Sequence, residues 1–393
     1  MSTVLAVLAW LLAIVVAIPL TVFVIELAVG MWRTSRTVTP PPRKGSVAIL
    51  IPAHDEEDGI GATLETLGAV APKDTRVVVV ADNCSDATAS VARDAGAEVI
   101  ERHDTQRRGK GYALAFGRDF LAEGETPDVV IVLDADCRLL PGTVEILTGR
   151  VLDTDRPVQA VNLVSPDLSA SPMTQIAGFA MMVKNLFRSR GMQRLGGAAL
   201  LTGTGMTFPW RLLADAELAT GSIVEDLALG IALTKSGHTP LLSTDAHVRS
   251  DPPADGDALQ QRKRWEHGFL DSLKSEALPT FAGGLRSLSL RQVLLGLHLM
   301  VPPLALLLML AGLVWVTTVV LAVLGGPGAP SLLLGGLIAV AAILVLIAWL
   351  ARGREFLSAK ALLMVPFYAL WKIPIYIGFF RKQEANWTRT PRR

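Results

Sequence analysis

Three short runs carry most of the side chains that could do chemistry: Pro52-Ala53-His54-Asp55-Glu56-Glu57, Asp82-Asn83-Cys84-Ser85-Asp86 and Asp134-Ala135-Asp136. Each follows an apolar stretch rich in β-branched residues. Asp, Asn and Ser in such places commonly cap the helix that follows. Capping does not explain Asp-x-Asp. Two carboxylates that close at a buried strand end repel each other, and a divalent cation held by oxygen ligands together with substrate phosphates relieves that repulsion. Between these runs lies Arg107-Arg108-Gly109-Lys110-Gly111, whose backbone amides and lysine suit a phosphate at the opening of a helix. Its spacing is not that of a P-loop, and no G-x-G-x-x-G follows the first strand, which counts against a dinucleotide cofactor. Glu225 and Asp226 precede a helical stretch running to Leu233, where acidic residues also favour a helix amino end. Arg264 and Trp265 read either as a site pair or as a basic helix on lipid headgroups with an interfacial tryptophan.

The elements that must position these residues lie between about Gly45 and Leu285, where short β-branched runs alternate with segments of helical period. That is an α/β pattern. Strands are expected at Val47–Ile51, Val77–Ala81, Glu98–Glu101, Val129–Leu133 and Val158–Val164, with another at Thr239–Leu242. The first, second and fourth are continuously apolar, as in parallel strands covered by helices on both faces. Ligands of an open parallel sheet bind beyond the carboxyl ends of its strands, which is where the polar runs fall. The segment Met173–Arg194 mixes Phe179, Met181, Met182 and Phe187 with Lys184, Arg188, Arg190 and Arg194, and reads as a helix on a membrane surface or as a core-packed helix with a solvated basic face.

Composition sets the surroundings. Of 393 residues, 51% are hydrophobic and 19% charged, against about 25% charged in an ordinary soluble protein. The charges nearly cancel, at 37 basic and 36 acidic, so nucleic acid is not an expected partner. Two cysteines, Cys84 and Cys137, make no disulfide framework. Val4–Gly30 is almost wholly apolar and long enough to cross a bilayer, and residues 1–3 lack the basic side chain of a signal peptide. Val293–Leu324 and Leu332–Leu350 are two further spans, the first exceeding one crossing and containing Pro302 and Pro303. Arg33, Arg36, Arg43, Lys44, Arg352, Arg354 and the basic tail Arg381–Arg393 place the polar block and the tail in the cytoplasm. Phe356–Phe380 is then interfacial or re-entrant, broken at Pro366 and Pro374. The expected organisation is a membrane helix over 1–30, a catalytic domain over 45–285, a membrane region over 286–380 and a cytoplasmic tail over 381–393. The protein is expected in the inner (plasma) membrane as a multi-pass chain.

Taken in order, IPAHDEE, VVVVADNCSD, GKGYAL, VLDADC, LTGTGM, Glu225-Asp226 and QRKRW resemble the membrane-associated family 2 glycosyltransferases, the group that includes cellulose and hyaluronan synthases. The resemblance covers roughly residues 45–275. It implies a GT-A, Rossmann-like fold flanked by transmembrane helices, a nucleotide-sugar donor and Mg2+ or Mn2+. Motif by motif, it implies that Pro52, His54 and Glu56 form the first nucleotide-binding turn, that Asp82 reads the uracil of a UDP-sugar and that Lys110 lies near the nucleotide. Asp134 and Asp136 match the D-x-D pair, the second aspartate binding the metal. Asp226, beside Glu225, matches the catalytic base; Gln261 and Arg264 of Q-x-x-R-W bind the nucleotide sugar, the arginine facing the diphosphate; Gly203, Thr204, Gly205, Met206 and Trp265 fall on the acceptor side. His247, placed after the Thr239–Leu242 strand, is a weaker metal candidate. His267 and both cysteines are expected to be structural.

A processive synthase needs about six or more membrane helices to build a polymer channel, and the chain has three with a possible fourth. Val224 also stands where processive synthases often carry threonine. The expected function is therefore transfer of one sugar to a polyprenyl-diphosphate-linked saccharide, in exopolysaccharide or capsule assembly. A small processive synthase is the first alternative, and a nucleotide-sensing transporter or scaffold the second. Ionisable residues within the spans are nearly absent apart from Glu26 and His298, which disfavours transport.

Overall fold

The computed structural model describes residues 2–32, 45–220, 224–251 and 255–381. It divides into two compact units. One holds Thr34–Ser165 and Ala198–Gly268, the other Met1–Arg33, Pro166–Gly197 and Phe269–Glu384, so the 45–285 segment expected as one domain is shared between them.

The first unit is built on an eight-stranded mixed sheet: β1 (Val47–Ala53), β2 (Arg76–Asp82), β3 (Glu98–Arg102), β4 (Val129–Val132), β5 (Cys137–Leu139), β6 (Val158–Val164), β7 (Met206–Pro209) and β8 (Leu241–Ser250), in the order β3-β2-β1-β4-β7-β6-β8-β5. Alternation along the apolar strands explains why both faces are filled. Ile49, Ile51, Val79 and Ile131 point to one face, against Ile60, Leu64 and Leu67 of one helix and Val144, Leu147 and Val151 of another. Leu50, Val78, Val80 and Val130 point to the other, against Leu114, Leu121 and Leu229. The helix Lys110–Ala122 approaches so closely that a Cβ at Gly117 would stand 2.4 Å from Leu50 Cδ1.

The sheet is not wholly parallel. β7 runs antiparallel between β4 and β6, and β5 antiparallel on β8. The expected strand Thr239–Leu242 is instead the ten-residue Leu241–Ser250, pairing with β6 across an irregularity at Ala160/Val161. His247 therefore lies inside a strand, not beyond its end, and its backbone carbonyl accepts from Leu140 N at 3.1 Å.

Among the described residues of the second unit, three helices are long and apolar enough to cross a membrane: Thr3–Met31, Leu304–Val323 and Ala329–Ala351. Leu290–Leu299 is a separate helix, ended before Pro302 and Pro303. After Ala351 come the short helices Ala359–Leu362, Val365–Trp371 and Ile373–Arg381. Pro366 and Pro374 sit in the first turns of the last two, so they start helices and the breaks fall just before them. The basic segments at 33–44 and 382–393 lie outside the described residues.

Three of the four cations in the basic segment of this unit are turned onto protein partners, while Lys184 is exposed. Pro172–Met182 continues through a π-helical turn, Val183–Arg188, into Ser189–Arg194. Arg188 Nε donates to Glu26 Oε2 at 2.8 Å, and His298 Nδ1 meets Glu26 Oε1 at 2.7 Å. Arg190 Nε donates to Gly30 O at 2.5 Å, and Arg194 Nη1 to Val29 O at 2.7 Å and Trp32 O at 2.6 Å. These carbonyls are the unpaired acceptors at the end of the first helix, where cations are favoured. The two helices cross so closely that a Cβ at Gly191 would stand 1.9 Å from Glu26 O.

Candidate active site

The polar runs meet at the carboxyl edge of β1, β2 and β4. Pro52 is tolerated within β1 because the β4 register ends at Leu50↔Val132, before a proline would have to donate to it. The chain then turns at Asp55, which adopts φ +52°, as does Asn83 after β2. His54 Nδ1 meets Asp82 O at 2.6 Å, and Glu56 N donates to Thr88 Oγ1 at 2.7 Å. Pro52, His54, Glu56 and Asp82 are thus gathered at one end of the sheet. Asp82 is buried and ion-paired with Arg102, whose Nη1 donates to Oδ1 at 2.7 Å. Burial pushes the Asp82 carboxyl above its ordinary range, and Arg102 opposes that rise.

At the end of β4 the Asp134-Ala135-Asp136 turn is closed by Cys137 N donating to Asp134 O at 3.0 Å. Ligand atoms of Asp134, Asp136 and Cys137 lie within 4.8 Å of one another. Burial pushes the Cys137 thiol to about 12, so it stays protonated and leaves two hard carboxylates, the donor set of Mg2+ or Mn2+. A second convergence, Asp55, Cys84 and Asp86, is tied by its own turns: Ser85 N donates to Asp55 Oδ1 at 2.6 Å and Thr88 Oγ1 to Asp86 Oδ1 at 2.5 Å.

Lys110, at the start of its helix, ion-pairs with Asp134 and donates to Gly203 O at 2.7 Å. Burial alone would lower its pKa, but Asp134, Glu225 and Asp226 outweigh that and hold the ammonium above its ordinary value. Gly203, at φ +84°, shows how tightly these groups converge: a Cβ there would stand 3.2 Å from Lys110 Nζ, 3.3 Å from Asp226 Oδ2 and 4.0 Å from Asp134 Oδ2. Thr204 Oγ1 accepts from Asp134 N at 3.1 Å, Gly205 N donates to Val132 O at 2.8 Å, and Met206 opens β7. Glu225 and Asp226 occupy the first turn of the helix Glu225–Lys235. They line a cavity with Gly111, Leu114, Met206 and Glu217. Burial and the neighbouring Asp226 raise Glu225 to about 7.

Arg264 and Trp265 lie on the helix Asp255–Arg286, Arg264 half-buried and Trp265 48% exposed. Gln261 is on the same helix, its side chain outside the described residues. His247 belongs to neither acidic group that could hold a metal among the described residues, and His267 is buried. Sequence reasoning missed Arg102 and Tyr112, over whose ring the Arg102 guanidinium sits at 5.6 Å. An arginine closing a short strand carries no motif of its own.

A mixed α/β sheet with a D-x-D turn at its switch point is the GT-A arrangement, here on a chain that also carries apolar helices. The family model described as glycosyltransferase-like family 2 matches residues 41–268, and the chain belongs to that family. Among solved structures it is similar to the mannosyltransferase PcManGT from Pyrobaculum calidifontis, in complex with GDP-Man and Mn2+, at 17% identity and TM-score 0.58, covering 94% of this chain and 99% of that one. It also matches glucosyl-3-phosphoglycerate synthase from Mycobacterium tuberculosis, with Mn2+, UDP and glucosyl-3-phosphoglycerate, at 17% identity and TM-score 0.38, over 60% of this chain and 84% of that one. A search of curated protein sequences found no match.

Proposed function

We propose that this glycosyltransferase is an inverting, metal-dependent enzyme of the membrane-associated, synthase-like group, moving one sugar from a UDP-sugar to a polyprenyl-diphosphate-linked saccharide at the cytoplasmic membrane face, in exopolysaccharide or capsule assembly. The observation that carries it is the convergence of Lys110, Asp134 and Asp226 around Gly203. In this reading Asp226 takes the proton of the acceptor hydroxyl while the diphosphate leaves from the opposite side of the sugar. Lys110 and Arg264 bind and orient the diphosphate, and Asp82 accepts from the base. Glu225 sits beside the base, Pro52, His54 and Glu56 shape the nucleotide turn, and Gln261 belongs to the nucleotide-sugar-binding set. Gly203, Thr204, Gly205, Met206 and Trp265 border the acceptor. Mg2+ or Mn2+ at Asp134 and Asp136 supplies positive charge to the leaving group. The likeness to a mannosyltransferase described with GDP-Man and Mn2+ supports a metal-dependent transfer.

Three candidate spans among the described residues favour single addition over extrusion of a polymer. Glu26 and His298 are bonded to each other and to Arg188, which is a closed structural cluster and no substrate path. The domain reading is a catalytic segment over 45–285 in the cytoplasm, drawing on both compact units, with Phe356–Phe380 interfacial or re-entrant and a cytoplasmic tail over 381–393.

The test is to screen nucleotide sugars for nucleotide release by the purified protein in lipid, with and without Mn2+. Metal-dependent UDP release stimulated by a polyprenyl-linked saccharide is expected; full turnover in excess chelator would overturn the metal role, and products lengthening to polymer would overturn single addition. Impermeant thiol labelling of Gly328→Cys and Arg392→Cys in intact cells is expected to modify only the former.

A further inference from the structure

Asp82 and Arg102 are register partners on the parallel strands β2 and β3, so their side chains leave the same face at the edge where the donor reads in. Both are about nine-tenths buried, with side chains 8% and 10% exposed. Two donors converge on one oxygen of Asp82: Arg102 Nη1 at 2.7 Å and Asn83 Nδ2 at 2.9 Å, both on Oδ1. Among the described residues no hydrogen bond reaches Oδ2. Oδ2 is not one of the buried side-chain oxygens that lack a partner among the described residues, so the carboxylate keeps this oxygen open to solvent or ligand.

Arg102 is itself fixed. Its Nη2 donates to Asp104 Oδ2 at 3.1 Å and to Arg107 O at 2.8 Å, and its plane covers Tyr112. Asn83 is fixed in turn by accepting from Asp104 N at 2.8 Å. The guanidinium thus spans from Asp82 to the loop that leads into Lys110, and it is spent on protein partners.

We propose that Arg102 is a positioning and specificity residue, holding Asp82 with Oδ1 saturated and Oδ2 presented as an obligate acceptor, so that the donor nucleotide must offer a ring imide N–H. This rests on the reading of the β2 end as the nucleobase site, and deepens it. An ionised carboxylate accepts only. Uracil N3–H and guanine N1–H can donate to it, whereas cytosine N3 and adenine N1 present lone pairs at the corresponding position. Burial works against the ionised form of Asp82, and Arg102 is the charge that opposes it. Without Arg102 the carboxylate would lose the donor that fixes Oδ1 and the charge that favours its ionised form, and with them its discrimination.

The experiment measures binding of UDP, GDP, CDP and ADP with Mn2+ to the full-length protein in lipid, for the wild type, Arg102→Met, Arg102→Lys and Asp82→Asn. The readout is the ratio of affinities among the four nucleotides within each sample, which does not depend on how much of that sample is folded. The wild type should prefer UDP or GDP over CDP and ADP by at least about tenfold, the ratio one charge-assisted hydrogen bond commands. Arg102→Met should bring that ratio close to one, and Arg102→Lys should restore part of it. A uniform weakening of all four nucleotides by Arg102→Met, with the ratio intact, would overturn the proposal and leave Arg102 as packing alone. A wild type with no base preference, or Asp82→Asn with the wild-type preference, would overturn the base-site reading beneath it.

Discussion

The two units gather buried charge in opposite ways. In the apolar-helix unit Glu26, Arg188 and His298 bond to one another, both carboxylate oxygens are used, and nothing is asked of a ligand. In the sheet unit Asp134, Asp136, Glu225 and Asp226 crowd one end of the sheet with Lys110 as the ammonium among them. The first set is closed and holds helices together; the second carries an excess of negative charge that suits a cation and a reacting hydroxyl. Residue type alone does not separate structure from chemistry, whereas the local balance of charge does.

Breaking the closed set should cost most. Arg188→Met leaves Glu26 buried without its guanidinium and is expected to destabilise by about 3–5 kcal/mol, the usual penalty for removing one partner of a buried pair. Adding Glu26→Gln should recover much of it. Thermal melts of the single and double variants check this, and a double variant as unstable as the single would mean that Arg188 acts by packing.

In the open set the large losses should appear in rate, with the fold intact. Asp136→Asn should lower transfer about 10³-fold, equal to several kcal/mol of charge stabilisation, with an unchanged melting temperature. Asp226→Asn should keep UDP-sugar binding near wild type and lower transfer by at least about 10²-fold. Asn caps a helix about as well as Asp, so a residue that only capped would lose little. Near-normal transfer by Asp226→Asn would move the base elsewhere, with Glu225 next.

The same contrast explains what could be read in one dimension. β1, β2 and β4 were legible because strands buried on both faces are continuously apolar, and the D-x-D turn because adjacent carboxylates have few structural uses. β5 and β7, of three and four residues, are too short for any periodicity and are held by their neighbours on the sheet. His247 was misplaced because Thr244 and Asp245 interrupt the apolar pattern within β8. The Arg188 and Arg190 partners lie about 160 residues away in sequence, so their charges looked like a surface. Arg102 escaped for the same reason: its role is a pairing across strands, and no spacing encodes it.

The smallest effect is the most diagnostic of the open set. Glu225 is raised to about 7 by burial and by Asp226, above an ordinary value of 4.5. A raised carboxyl contributes stability that is present below the unfolded value and lost as pH rises through the folded one, here between about 4.5 and 7. Above that window the folded state holds a charge it disfavours. Glu225→Gln removes the charge and should raise the melting temperature at pH 8 by about 2–4 °C, the shift expected for roughly 1 kcal/mol in a unit of this size. At pH 4 the variant and the wild type should melt together, because both then carry a neutral side chain. Arg188→Met and Glu225→Gln are thus expected to move stability in opposite directions at pH 8. If Glu225→Gln lowered the melting temperature equally at both pH values, Glu225 would be a satisfied structural group, and the distinction between the two sets would rest on Asp134, Asp136 and Asp226 alone.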